Sequence, residues 1–135
     1  MPGPGPRRRV DPRRRLGIAG EDAVARWYEA AAYEVLDRNW RCRDGELDLV
    51  VRRDGTLVFC EVKTRVARGT SGPFGPLTAV GARKRRQVRA MARQWLSERS
   101  GRLARRPPEL RFDAIGVTLR PSGAVVRLEH LEGAF

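Results

Sequence analysis

The chain is predicted to form a single domain of the α/β or α+β class, because strand-like and helix-like segments alternate along its 135 residues. A chain of this length can bury roughly two-thirds of the surface that its unfolded form exposes, which suits one hydrophobic core. The clearest local signal is a hairpin, in which apolar runs at 44–51 and 57–65 flank a turn at Asp54-Gly55. An Asp-Gly pair between two such runs is among the strongest short-range predictors of a hairpin.

The other elements are predicted around this hairpin. Residues 1–15 are rich in Pro, Gly and Arg without periodicity, which predicts a disordered basic tail and leaves 16–135 as the folded domain. The remaining predicted elements are a helix at 16–32, a strand at 33–41, a second helix at 78–99, and strands at 110–119 and 124–131. Because the first three strands are consecutive, we expect an antiparallel meander beside the first helix. The Gly/Pro-rich stretch 66–77 is a loop that either closes over a bound backbone or only connects its neighbours.

The positive charge of the chain, +12 at pH 7, is unevenly distributed. Residues 83–106 carry ten Arg or Lys against the single acidic Glu98, and residues 1–15 carry six Arg against one Asp. Residues 16–82 are close to neutral. The positive field therefore comes from a tail and one helix, which predicts that one part of the protein holds a polyanion while another part acts on it.

Composition and motifs exclude several classes of protein. No apolar run approaches the roughly 18 residues that span a bilayer, and the N-terminus has no apolar signal core, so we expect a soluble, cytoplasmic protein. Cys42 and Cys60 are then expected to be reduced thiols. The single His130 excludes a His-rich metal site, and the sequence contains neither a Walker phosphate loop nor a G-x-S-x-G elbow.

Charged residues interrupt the two hairpin strands, which are otherwise apolar enough to be central. Strand alternation predicts shared faces for Glu46, Asp48 and Val50, for Leu47, Leu49 and Val51, for Leu57, Phe59, Glu61 and Lys63, and for Val58, Cys60 and Val62. A buried charge is costly unless it is paired or bound to a metal. Asp48 and Glu61 could supply the carboxylates that hold Mg²⁺, and Lys63 could orient water or stabilise charge on a phosphate. A structural salt bridge from Lys63 to either carboxylate would explain the same residues.

Lysine is almost absent from the chain, since only Lys63 and Lys84 among its 28 basic residues are lysine. A coding bias toward arginine explains the general pattern. Under such a bias, a surviving lysine can mark a position where a compact ammonium is needed and a planar guanidinium fails. Lys84 is predicted to face inward at the start of the second helix, where it either extends to solvent or reaches a phosphate.

Each predicted helix has an inward stripe and an outward face. The inward stripe of the first helix is Ile18, Glu21, Val24, Ala25, Tyr28 and Ala32, widened by Trp27 and Ala31, and that of the second is Val80, Lys84, Val88, Met91 and Trp95. Glu21 is thus a carboxylate near a helix start, where it either stabilises the helix dipole or contributes to the site. The outward face of the second helix carries Arg83, Arg86, Arg89 and Arg93. These arginines form either a nucleic-acid backbone surface or a solvated charged face.

Several linked motifs resemble those of the YraN family, an uncharacterised bacterial family. The motifs are 16–23 (LGIAGEDA), 39–49 (NWRCRDGELDL), 58–65 (VFCEVKTR), Lys84, 111–113 (RFD) and 128–135 (LEHLEGAF), which together span residues 16–135. This resemblance implies an α/β, restriction-endonuclease-like fold with a central mixed sheet of about five strands flanked by helices, similar to archaeal Holliday-junction resolvases. Asp113 lies within the run Arg111-Phe112-Asp113, where we expect it to be a structural partner of an arginine and not a metal ligand.

The same resemblance implies a D…ExK site in which Asp48 and Glu61 bind Mg²⁺ or Mn²⁺ and Lys63 serves catalysis. Glu21 matches the additional helix glutamate of the resolvases and would assist. Leu47 is a departure, because the fuller motif often has Pro at this position. Nucleic-acid contacts are expected from Arg65, from Lys84 and from the four outward arginines of the second helix.

We therefore expect a Mg²⁺-dependent endonuclease acting on DNA, including branched forms of the kind that resolvases cut. A homodimer would suit a junction with paired strands. The alternative is a non-catalytic nucleic-acid-binding or adaptor protein on the same scaffold. RNA is a further alternative to DNA, because contacts to phosphate do not distinguish the sugars.

Overall fold

A computed structural model of the chain describes residues 11–67, 82–99 and 109–134. The elements in these ranges are α1 (Pro12–Ala30), β1 (Glu34–Cys42), β2 (Gly45–Arg53), β3 (Thr56–Val66), α2 (Ala82–Arg99), β4 (Glu109–Leu119) and β5 (Val125–Leu131). The predicted strands and helices are therefore present in the predicted order, with ends shifted by at most four residues. The loop at 66–77 and the first residues of the second predicted helix lie largely outside the described ranges.

The five described strands form one mixed sheet in the order β1-β2-β3-β4-β5. Pairing is antiparallel for β1–β2, β2–β3 and β4–β5, and parallel for β3–β4. The parallel pair is joined by the crossover that contains α2, as a parallel connection requires. This arrangement confirms the predicted α/β class and the antiparallel meander, and it is consistent with a restriction-endonuclease-like fold.

The two helices cover opposite faces of the sheet. On the α1 face, Val24 and Tyr28 pack against apolar side chains from β2, β3 and β4, including Val58 and Val117. On the α2 face, the buried cluster consists of Leu47, Val50, Leu57, Phe59, Val88, Met91, Ala92 and Trp95. No helix within the described ranges is long and apolar enough to cross a membrane. The sheet is thus the middle layer of three.

Helix α1 begins earlier than the sequence predicted. Its first residue is Pro12, and the side chain of Asp11 caps it by accepting a hydrogen bond from the Arg13 N–H at 2.9 Å. Pro at the first helical position and Asp at the N-cap are both favoured signals, which the Arg-rich composition obscured. Residues 12–15 are therefore helical and not part of a disordered tail, while residues 1–10 lie outside the described ranges. The predicted inward stripe was also too wide, because Ile18 and Trp27 are exposed.

The predicted alternation of β2 fails at one residue. Leu49 and Val51 belong to the α1-side cluster as expected, but Leu47 packs with Val50 on the α2 side. The backbone-paired part of β2 and β3 ends at Leu49 opposite Cys60. Beyond that pair, β2 is hydrogen-bonded only to β1. Leu47 can therefore turn toward the face opposite to that of Leu49 and Val51.

Candidate metal and nucleic-acid site

The site is built where strands β2 and β3 separate. After the Leu49–Cys60 pair, β3 continues to Val66 beside β4, whereas β2 runs back toward its start at Gly45. In the opening, Oδ2 of Asp48 accepts a hydrogen bond from the backbone N–H of Val62 at 2.8 Å. Asp48 therefore takes the place of a missing strand partner and carries a carboxylate into the gap.

A cavity of about 220 Å³ opens at this point between the sheet and α2. Its lining combines three carboxylates and one ammonium with an apolar wall, and consists of Glu46, Leu47, Asp48, Phe59, Cys60, Glu61, Lys84, Val88 and Met91. Gly45 permits the helix to approach this closely, since a Cβ at this position would lie 3.1 Å from Nε2 of Gln87 and 3.2 Å from Sδ of Met91. Sequence reasoning singled out Asp48 and Glu61, and both line the same cavity.

The carboxyl group of Asp48 is poised between its charged and neutral forms. Its pKa is raised to about 6, chiefly by burial and also by the neighbouring Glu21, Glu46 and Glu61, while the hydrogen bond from the Val62 N–H opposes the shift. A raised carboxyl pKa means that the charged form is disfavoured by loss of solvent and by like charges. Such a group gains most from a cation, and strongly perturbed carboxylates in a cleft are typical of functional sites.

Glu61 is paired with a different lysine from the one that the sequence suggested. Nζ of Lys84 lies 3.3 Å from Oε1 of Glu61, and the two side chains are 41% and 28% exposed. Among the described residues, no salt bridge joins Lys63 to Asp48 or Glu61. The structural salt bridge considered from the sequence is therefore not formed within these ranges. Lys63 is exposed and does not line the cavity. Strand alternation nevertheless places its side chain on the same face of β3 as that of Glu61.

Glu21 lies beside this cavity and not within it. It lines an adjacent cavity of about 320 Å³, together with Arg14, Gly17, Ile18, Asn39, Arg41 and Glu46. Its Oε2 accepts a hydrogen bond from Nδ2 of Asn39 at 3.0 Å. Glu46 lines both cavities. Glu46 was not predicted as a site residue, although it also lines the cavity. The available signal was its position two residues before Asp48, which places both side chains on the same face of the strand.

The contact between α1 and β3 fixes the position of Glu21. A Cβ on the neighbouring Gly20 would clash with Oγ1 of Thr64 and lie 3.0 Å from its Cγ2, so glycine allows the helix to cross the strand closely at this point. The helix thereby carries Glu21 close enough to raise the pKa of Asp48. The glycine at position 20, in the motif at 16–23, is therefore explained by the close packing of α1 on β3.

The donor chemistry of the cavity suits a hard divalent cation in part. The described residues contain no group of three or more His, Cys, Asp or Glu side chains arranged to hold a metal ion. Mg²⁺ is usually held by only one or two carboxylates and keeps several waters, so Asp48 and Glu61 match its needs in number and type. The thiol of Cys60, whose pKa burial raises above its ordinary range, is not a competitor for a hard cation.

Helix α2 presents its arginines to solvent as predicted. Val88, Met91 and Trp95 are buried against the sheet, whereas Arg83, Arg86, Arg89 and Arg93 are exposed. Val80 lies outside the described ranges. Lys84 belongs to neither group, because it is only partly exposed and faces the cavity. On the sheet, Arg65 donates a hydrogen bond from Nε to Oγ1 of Thr118 at 2.9 Å, which directs it across β4.

A second polar centre is structural. Asp113 is fully buried, and its carboxylate accepts two hydrogen bonds from Arg111, each at 2.9 Å, which confirms the predicted Arg partner. It also accepts from Tyr28 Oη at 2.8 Å and from the Gly133 N–H at 3.1 Å, and it contacts Nε2 of His130 at 2.8 Å. Although burial raises the pKa of Asp113, these hydrogen bonds outweigh it and lower the pKa to about 2. The RFD and LEHLEGAF motifs are therefore connected by one buried carboxylate.

Comparison with known proteins gives a consistent result. The family model described as "Uncharacterised protein family UPF0102" matches residues 20–117. A UPF0102 protein from Parafrankia sp. (strain EAN1pec) is 48% identical over 122 residues, covering 90% of this chain and 96% of the relative. UPF0102 proteins from Geobacter sulfurreducens and Nocardia farcinica are 44% and 41% identical, covering 89% and 94% of this chain and 88% and 94% of the relatives, respectively.

Proposed function

This chain belongs to the uncharacterised protein family UPF0102, also known as YraN, and we propose that it is a Mg²⁺-dependent nuclease that acts on DNA. In this proposal Asp48 and Glu61 hold the cation, with Mn²⁺ as a substitute. Lys63 serves the reacting phosphate and Glu21 assists from the neighbouring cavity. The bound DNA is branched or contains single strands, as in the substrates of resolvase-like proteins.

One observation supports this proposal above all others. The carboxylate of Asp48 is inserted where β2 and β3 separate, 2.8 Å from the Val62 N–H, and shares a cavity with Glu61 from the adjoining strand. Two carboxylates from adjacent strands in one partly buried cavity are costly for folding. A divalent cation would offset that cost, since Lys84, the cationic residue in the described lining, carries only a single positive charge.

The reaction requires three contributions from this site. A bound divalent cation supplies charge neutralisation and a hydroxide nucleophile near neutral pH. The protein's own part is to orient the two carboxylates, to hold the phosphodiester and to place an ammonium near the developing negative charge. The exposed arginines of α2 lie on the helix whose first turns border the cavity, so a backbone held there would pass its opening.

The cleavage assay uses the full chain with a four-way DNA junction and with linear duplex, each with Mg²⁺ or Mn²⁺. We expect nicks that the Asp48→Ala substitution reduces by at least about a hundred-fold, because it removes both a ligand and the strand-gap hydrogen bond. Asp44→Ala is the matched control, since Asp44 is exposed and lines neither cavity. Intact DNA under all these conditions, or equal cleavage by both variants, would contradict the proposal.

A second candidate function is nucleic-acid binding without catalysis. It is favoured by the finding that the described residues assemble no three-ligand metal group and that Lys63 lies outside the cavity lining. In that case the protein binds DNA or RNA through the α2 arginines and cleaves neither. Competition between DNA and RNA of matched sequence, followed for both binding and cleavage, distinguishes the candidates and identifies the preferred sugar.

A further inference from the structure

Lys84 is the cation of the cavity that contains Asp48 and Glu61. Its Nζ lies 3.3 Å from Oε1 of Glu61, and it is the one cationic residue in the described lining of that cavity. The same lining holds three carboxylates, those of Glu46, Asp48 and Glu61. Lys63, the other lysine of the chain, is exposed and does not line the cavity.

The Lys84–Glu61 pair is not needed to hold α2 on the sheet. The helix buries Met91 and Trp95, and Nε1 of Trp95 donates to Oδ2 of Asp37 on β1 at 3.0 Å. A half-exposed ion pair contributes little to folding stability, because solvent screens it. Anchoring therefore does not explain why a charged pair is located inside the cavity.

The identity of the cation also needs an explanation. Every other basic residue of α2 is arginine, including the neighbouring Arg83 and Arg85. Arginine grips a carboxylate with a planar, two-pronged contact, whereas an ammonium is a compact charge on a flexible stem. A lysine is the better choice where the cation has to release one oxygen and reach another.

Building on the proposed nuclease function, we propose that Lys84 couples metal binding to DNA binding by exchanging partners. In the metal-free protein its ammonium holds Glu61. A divalent cation competes for the same carboxylate oxygens and repels the ammonium, which then contacts a phosphodiester oxygen of the bound DNA. No covalent bond forms or breaks in this exchange, and the ammonium keeps its protons throughout.

The coupling works in both directions. By thermodynamic linkage, DNA that attracts Lys84 leaves Glu61 available and raises the affinity for the cation by the same factor as the cation raises the affinity for DNA. Lys84 is thus a catalytic residue that touches the substrate only in the loaded state. Lys63 is not assigned to this exchange, because it is exposed and lies outside the cavity lining.

The experiment measures two affinities on the full-length protein. Calorimetry gives the affinity for Mg²⁺ alone, and fluorescence anisotropy gives the affinity for a labelled DNA junction with and without Ca²⁺, used to keep the DNA intact. The test variant is Lys84→Met, which keeps the length of the stem and removes the charge. Arg120→Met and Arg127→Met are matched controls, because each removes one exposed positive charge from the β4–β5 hairpin, outside the cavity lining.

We expect Lys84→Met to bind Mg²⁺ about three- to ten-fold more tightly than the wild type. The factor by which Ca²⁺ raises the DNA affinity should be at least about five-fold smaller in Lys84→Met than in the wild type. Both control variants should keep the wild-type Mg²⁺ affinity within about two-fold and keep the gain. Lys84→Gln repeats the measurement if circular dichroism shows that Lys84→Met is unfolded.

The outcomes separate this inference from the function on which it rests. If Glu61→Gln abolishes Mg²⁺ binding while Lys84→Met leaves both the Mg²⁺ affinity and the DNA gain unchanged, the coupling is wrong and the metal site stands. If the wild type binds no Mg²⁺, or binds it equally well after Glu61→Gln, the metal site and the coupling are both wrong. Weaker Mg²⁺ binding by Lys84→Met also overturns the coupling, because removing a competitor for Glu61 should raise the Mg²⁺ affinity and not lower it.

Discussion

At the residue scale, Asp48 combines a structural bond with an electrostatic cost. Its carboxylate closes the gap between β2 and β3 through the Val62 N–H, yet burial and three nearby glutamates raise its pKa to about 6. An amide oxygen could accept the same hydrogen bond without carrying a charge. The charge itself is therefore unfavourable for folding in the absence of a bound cation.

The pH dependence of stability follows from the direction of this shift. Because the folded-state pKa is about 6 and the ordinary value is 3.8, the folded protein holds this proton more tightly than the unfolded chain does. Stability contributed by the bound proton is present below about pH 4 and is lost as pH rises to about 6. Asp113 acts in another window, since its lowered pKa of about 2 makes its contribution disappear only under more acidic conditions.

We predict that Asp48→Asn stabilises the metal-free protein by roughly 1–3 kcal/mol at pH 7 and by little at pH 4. Urea unfolding of both proteins at pH 4, 5, 6 and 7 with a chelator present measures this difference, and comparing the two proteins cancels the contribution of titrating groups that do not interact with Asp48. A variant that is less stable at pH 7, or a difference that does not change with pH, would show that the carboxylate is not strained in this way.

Partners between distant residues were the least predictable feature from the sequence. Alternation within β3 correctly gave the facing of Phe59 and Val62, because the strand period is local. The pairing of Glu61 with Lys84 was not predicted, since it depends on how the crossover brings α2 over the sheet. Arg111 and Asp113 were predictable as partners because they are two residues apart on one strand.

At the scale of elements, α2 has two faces of different chemistry. Its buried face fills the core against β2 and β3, and its exposed face carries Arg83, Arg86, Arg89 and Arg93. Each arginine that neutralises a phosphate releases counterions, so binding through this face must depend steeply on salt.

We predict that the double substitution Arg86→Gln and Arg89→Gln weakens DNA binding and reduces the slope of log K against log salt by about 1.8 for duplex DNA. The matched control is Arg120→Gln with Arg127→Gln, which removes two exposed charges from the β4–β5 hairpin instead. Anisotropy titrations at four salt concentrations give the slopes. Equal loss in both double variants would mean that net charge, and not the α2 face, holds the nucleic acid.

Element boundaries were predictable where turn and cap residues are distinctive. The Asp-Gly turn correctly located the β2–β3 hairpin, and Asp54 itself takes the positive φ of 51°. The start of α1 was not predicted, because its Asp11-Pro12 cap lies in an arginine-rich stretch that has no hydrophobic periodicity. The parallel pairing of β3 with β4 could not be derived from periodicity, because strand direction depends on the crossover and not on the strand's own pattern.

At the scale of the whole molecule, the sheet separates a stabilising centre from a candidate reactive one. On the α1 face, Asp113 gathers Arg111, Tyr28 and His130 into a network in which each polar group has a partner. In the gap between β2 and β3, carboxylates accumulate with less compensation and the pKa of Asp48 is raised. Stable packing at the first centre allows the fold to tolerate the unfavourable charges at the second.

The central claim is that Asp48 and Glu61 together bind one divalent cation, and calorimetric titration of the full chain with Mg²⁺ tests it most directly. We predict binding to a single site that Asp48→Asn and Glu61→Gln each weaken at least about ten-fold, because each removes a charged ligand. Glu34→Gln, which removes an exposed carboxylate outside both cavities, should leave the affinity unchanged. Mg²⁺ binding that survives both ligand substitutions at wild-type strength would contradict the account.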